Sequence, residues 1–79
     1  MIPLSELDKD TAATVVDVQD HHAADPIARR LRELGFVAGE QVIIKAWGPF
    51  RRDPVMVHIG DSRFALRRSE AARIPVQVS

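Results

Sequence analysis

Only three kinds of chemistry-bearing side chain cluster in this chain: imidazole, carboxylate and guanidinium. His21 and His22 stand beside Asp25, with His58 further on. Imidazole with carboxylate suits ferrous iron, zinc or another transition metal. Neighbouring side chains on a strand point to opposite faces, so His21 and His22 converge on one ion only where the backbone bends. Asp25 also stands where a helix would be capped. His21, His22 and Asp25 are therefore the candidate metal ligands, weighed against a plainer reading as solvated loop histidines and a capping aspartate. The hydroxyls of Ser5, Thr11, Thr14, Ser62, Ser69 and Ser79 fall in no nucleophile motif beside a histidine, and no paired carboxylates are suggested. The expectation is a protein that is not an enzyme and needs no cofactor.

The arginines come in three groups: Arg29, Arg30 and Arg32; Arg51 and Arg52; Arg67 and Arg68. On a helix, Arg29–Glu33 and Arg30–Asp25 pairings would make a solvated face that contributes a few tenths of a kcal/mol per pair, roughly. Arg51 and Arg52 differ, because they follow Phe50 in a loop. An aromatic beside arginines has the composition of an interface hot spot. Phe50, Arg51, Arg52, Arg29 and Arg30 are the candidate partner-binding residues, with Trp47 expected in the core. Gly35 and Gly39 follow a helix and precede a strand, the reverse of a phosphate-binding glycine loop.

These residues need a scaffold. The helix reading for 26–34 is the clearest: Asp25 at the cap, Pro26 at the first turn, Gly35 at the exit, and Ile27, Leu31 and Leu34 as one apolar stripe. Segment 3–10 predicts one helical turn with Ser5 as cap, and 12–18 a β run rich in branched residues. Segments 41–47 and 55–59 alternate, with 48–54 a loop between them. A turn at 60–62 leads into 63–66. Ser69 is positioned to cap a turn over 70–73, and 74–78 reads as an edge strand because Pro75 lacks an N–H.

That makes one domain over 1–79, mainly β, with about five short strands and one amphipathic helix. Too small for two packed sheets, such a chain buries its apolar face by closing into an SH3-like barrel. An open barrel of this kind leaves an edge that could pair, so a homo-oligomer is possible. With 46% hydrophobic and 28% charged residues the composition is that of a globular protein. A formal net charge of zero argues against nucleic acid. With no cysteine, burial alone must hold the fold. No apolar run approaches a membrane span, and the first residues lack the pattern of a signal peptide. The expected location is cytoplasmic, with any membrane role reached through another protein. SH3-type grooves that read proline peptides are paved with aromatics, and one Trp, three Phe and no Tyr are too few.

The run 26–78 resembles the FeoA family of bacterial proteins. The resemblance lies in Leu31-Arg32-Glu33-Leu34-Gly35-Phe36-Val37-Ala38-Gly39, Val42, Pro49 and Asp53-Pro54. It continues through 55–60 to Phe64-Ala65-Leu66-Arg67-Arg68, Glu70-Ala71-Ala72 and Ile74-Pro75-Val76. It implies an SH3-like barrel in the cytosol that regulates or assembles the ferrous-iron transporter FeoB, a membrane permease with a cytoplasmic GTPase domain. An alternative is an SH3-like module of a metal-dependent regulator. Two departures stand out: Asp8-Lys9-Asp10 and Phe50-Arg51-Arg52-Asp53 occupy turns that often carry glycine in that family.

Overall fold

The computed structural model describes all residues 1–79. Six strands, β1 (Ile2–Pro3), β2 (Ala12–Val15), β3 (Gln41–Trp47), β4 (Val55–Ile59), β5 (Ser62–Leu66) and β6 (Pro75–Val78), form one antiparallel sheet in the order β1-β6-β2-β3-β4-β5. Two helices, α1 (Pro26–Glu33) and α2 (Arg68–Ala71), and a 3₁₀ turn at Leu4–Glu6 complete it.

Alternation drives the sheet. Val42 and Ile44 of β3, and Val55, Val57 and Ile59 of β4, turn inward and are buried, as the period-2 pattern requires. Seventeen buried apolar residues form a single core, to which the 3₁₀ turn adds Leu4, the residue after it Leu7, and α2 Ala71. Phe36 packs on Phe64 with ring centroids 5.9 Å apart and a tilted geometry.

Four expectations are corrected. Between Ile44 and Ala46 the β3–β4 register shifts, so Lys45 is the extra residue and Ala46 lies exposed instead of following Val42 and Ile44 inward. On α1 the buried positions are Ala28 and Leu31, while Ile27 is 38% exposed. The small Ala28 lets the helix approach closely, which turns the buried stripe away from Ile27. Strand β6 is interior, between β1 and β2, despite its proline. Pro75 lies opposite Pro3, so neither owes the other an N–H, and the Pro75 carbonyl accepts from Val16 N at 2.9 Å. Finally, α2 starts at Arg68 with Arg67 at the cap, whose N–H donates to Glu70 Oε1 at 2.8 Å; Ser69 lies inside the helix.

Replacing Leu31 with Ala should cost about 2–5 kcal/mol, as for a filled core site. Ile27→Ala should cost under about 1 kcal/mol. Urea denaturation of the two variants checks the rotation of α1, and equal losses would contradict it.

Candidate functional site

Asp25 caps α1 as its sequence context indicates, accepting from Ile27 N at 3.0 Å and Ala28 N at 3.4 Å. It does more than that. Its second oxygen accepts from His21 N at 3.0 Å and pairs with the Arg73 guanidinium, and the residue is only 2% exposed. The His21 amide is the main influence holding this carboxyl well below the usual aspartate range. The Ala28 and Ile27 amides and Arg73 add to it, against burial, which pushes it up.

His21 and His22 are exposed, and His22 Nδ1 lies 3.1 Å from its neighbour's Ala23 carbonyl. No three His, Asp or Glu side chains come together to hold a metal ion. The expected trio of His21, His22 and Asp25 is therefore not assembled, because both oxygens of Asp25 already accept hydrogen bonds from the protein. A depression of about 580 Å³ opens beside these residues and the start of α1. Its charges answer one another. Arg32 forks onto Asp20 at 2.7 and 3.1 Å and donates to the Val18 carbonyl at 2.8 Å, and this contact lowers the Asp20 pKa and raises that of Arg32.

The other helix arginines are also paired. Arg29 meets Glu33 at 3.2 Å as the i, i+4 spacing predicts. Arg30 bonds Glu70 of α2 at 3.4 Å, and so does not take up the expected pairing with Asp25. Both remain exposed at the surface.

That loop holds a defined shape. Gly48 N donates to the Pro54 carbonyl at 2.7 Å and Asp53 N to the Phe50 carbonyl at 3.1 Å. The Asp53–Pro54 peptide is cis. A Cβ on Gly48 would collide with the Asp53 carbonyl and the Pro54 ring, so only glycine fits there. From α2, Arg68 N donates to Asp53 Oδ1 at 3.1 Å, and the Arg68 side chain donates to the Arg51 carbonyl at 3.3 Å. Arg51 and Arg52 both have left-handed backbones, with φ of 54° and 65°. Each costs roughly 1–2 kcal/mol without a glycine.

In that conformation the Arg52 guanidinium lies 4.0 Å above the Trp47 ring, a contact that returns only about 0.5–1 kcal/mol at a surface site. The loop's shape thus depends on the anchors from α2. Trp47, expected in the core, is half-buried and forms the floor under Arg52. Phe50 at the tip is 77% exposed. The anchoring roles of Gly48, Asp53 and Arg68 escape a reading of the sequence, although a glycine and two prolines in one short loop mark its fixed shape.

The six-stranded antiparallel sheet, with its short helices and a loop held by α2, defines a small SH3-like domain. The chain belongs to the FeoA family: the FeoA domain profile matches residues 2–78. FeoA of Stenotrophomonas maltophilia, solved in complex with zinc and described as a prokaryotic SH3 domain protein, is similar at 56% identity. The match covers 98% of this chain and 91% of that one, with a TM-score of 0.88. Iron(II) transport protein A of Clostridium thermocellum is 30% identical over 98% of this chain and 45% of that one, TM-score 0.84. A Porphyromonas gingivalis protein that fuses Fe(2+) transport protein A to the Fe(2+) transporter FeoB is 36% identical over 75 residues, 95% of this chain. The chain spans 8% of that fusion's length.

Two outcomes test the site. Because the Asp25 pKa is depressed on folding, its contribution is complete above the ordinary aspartate value of 3.8 and is lost as pH falls through the folded value. Asp25→Asn should therefore be less stable than wild type at neutral pH, with the gap closing below pH 3.8 in urea titrations repeated across pH. Trp47 is the only tryptophan, so its fluorescence reports the loop. Gly48→Ala should cost about 1–3 kcal/mol and red-shift the emission as Arg52 leaves the ring. Arg52→Ala should give the shift with less than about 1 kcal/mol of lost stability.

Proposed function

We propose that this protein is a non-catalytic accessory of ferrous-iron uptake that docks on the cytoplasmic part of a FeoB-type transporter through Phe50, Arg51 and Arg52. The observation that carries the reading is Phe50. A large aromatic, fully presented at the tip of a braced loop and followed by two arginines, loses little entropy on binding and has much apolar surface to bury. The fusion in Porphyromonas gingivalis supports the choice of partner, since one polypeptide there joins the two proteins at fixed proximity. No helix is long and apolar enough to cross a membrane.

Arg29 and Arg30 take no part in this docking, since Glu33 and Glu70 already neutralise them. Tagged wild-type protein should co-purify with full-length FeoB from detergent-solubilised membranes. Phe50→Ala/Arg51→Ala/Arg52→Ala should be lost, and Arg29→Ala/Arg30→Ala retained. Retention of the triple variant would move the interface elsewhere, and failure of wild type at low and high salt would remove the partner.

A further inference from the structure

The two edges of the sheet differ. At β1 the edge is two residues long and contains Pro3, which has no N–H to offer, so it is closed to further pairing. The edge at β5 is five residues long and contains no proline. Its pairing with β4 shows which of its backbone groups are free. Ile59 and Ser62 flank the two-residue turn Gly60-Asp61, so they form the hydrogen-bonded closing pair, and the pattern alternates from there. Phe64 and Leu66 therefore bond to β4, while Arg63 and Ala65 turn their N–H and C=O groups outward. No loop, turn or cap bond elsewhere in the protein takes up these groups.

Charge distinguishes this edge further. The chain is neutral overall, but residues 1–25 carry six carboxylates against Lys9 alone. Around β5 stand Arg51, Arg52, Arg63, Arg67 and Arg68, opposed by Asp53, Asp61 and Glu70, of which Asp53 is engaged by Arg68 N and Glu70 by Arg67 N and Arg30. Side-chain alternation supplies a pattern as well. Arg63 and Ala65 share the outer face, opposite His58 and Met56. Phe64 faces inward against Phe36 and is half-buried, leaving part of its ring uncovered.

We propose that β5 is a strand-addition site that takes an extended acidic segment of a partner protein, with acidic side chains over Arg63 and alternate apolar side chains over Phe64. Backbone bonds to Arg63 and Ala65 supply the pairing, and the arginines of the neighbouring loop and α2 set the sign of the partner's charge. The mode of recognition stands on the edge itself, and only the identity of the partner rests on the transporter reading above.

The test is an amide NMR titration with an acetylated peptide of alternating Glu and Val, about seven residues long, the length of an ordinary strand. Shifts should concentrate on 62–66, with slowed hydrogen exchange at the Arg63 and Ala65 amides. Arg63→Glu should weaken binding about tenfold or more. An N-methyl group on Ala65, introduced by total synthesis, should abolish the slowed exchange and weaken binding while leaving the spectrum folded. Unchanged affinity in the N-methyl protein would overturn strand addition in favour of charge attraction alone. Shifts centred elsewhere, no binding at low salt, or equal binding of a Lys/Val peptide would each overturn it too. If the peptide fails while FeoB still co-purifies, strand addition falls and the transporter reading stands. If the peptide binds β5 and FeoB does not co-purify, the edge stands and that partner falls.

Discussion

The Asp25 carboxylate ties this small structure together. It accepts from three backbone amides and pairs with Arg73, and in doing so joins the end of the β2–α1 connection, the first turn of α1 and the junction between α2 and β6. Those are the segments that the sheet's own hydrogen bonds do not reach. A buried ion pair is weak evidence of net stability, since desolvation opposes attraction. Here the backbone amides satisfy the carboxylate, and what the pair provides is position. Because Gln19 N also bonds the Arg73 carbonyl at 2.8 Å, the connection before α1 and the strand β6 are held from both sides of one residue.

Position is passed from there to the surface. Arg73 fixes the end of α2, Glu70 of the same helix meets Arg30 of α1, and Arg68 at its start holds Asp53 and the Arg51 carbonyl. Each exposed contact contributes little alone, under about 1 kcal/mol. Two left-handed arginines in sequence cost more than the Arg52–Trp47 contact returns, so the loop keeps its shape only because α2 is itself fixed. The presentation of Phe50 thus depends on a carboxylate at the far end of the helix that anchors its loop.

Local signals were legible in the sequence. Asp25-Pro26 announced the helix start, β3 and β4 appear at their expected bounds, and the Gly60 turn closes the expected hairpin. What escaped depends on residues distant in the chain. The two-residue β1 has no signal of its own and exists because β6 is there to pair with it. Pro75 looked like an edge marker because nothing local indicates that Pro3 would lie opposite. The bulge at Lys45 stands beside its ion pair with Asp10 at 3.2 Å, and Asp10 itself has a left-handed φ of 63°. Aspartate tolerates that conformation better than most residues. The candidate loop was legible as composition, but its anchors were not, since Arg68 and Asp53 meet only in the folded state. The donors to Asp25 were hidden for a related reason: local spacing reveals its capping of α1 but not its pairing with Arg73.

The fold by itself does not specify this function. T. acidophilum IdeR, at 20% identity and TM-score 0.79, and a manganese-dependent transcriptional repressor, at 23% and 0.79, share that fold, and at that identity the likeness is one of fold alone. Sequence-independent architecture leaves recognition to whatever the surface carries. This surface lacks the aromatic paving by which SH3 grooves read proline helices, since Phe36 packs inside against Phe64 and Trp47 lies under Arg52. Phe50 is the one aromatic left fully free, and β5 is the one long edge left unpaired. Both stand near arginines, so the neutral charge of the whole chain conceals a local positive sign.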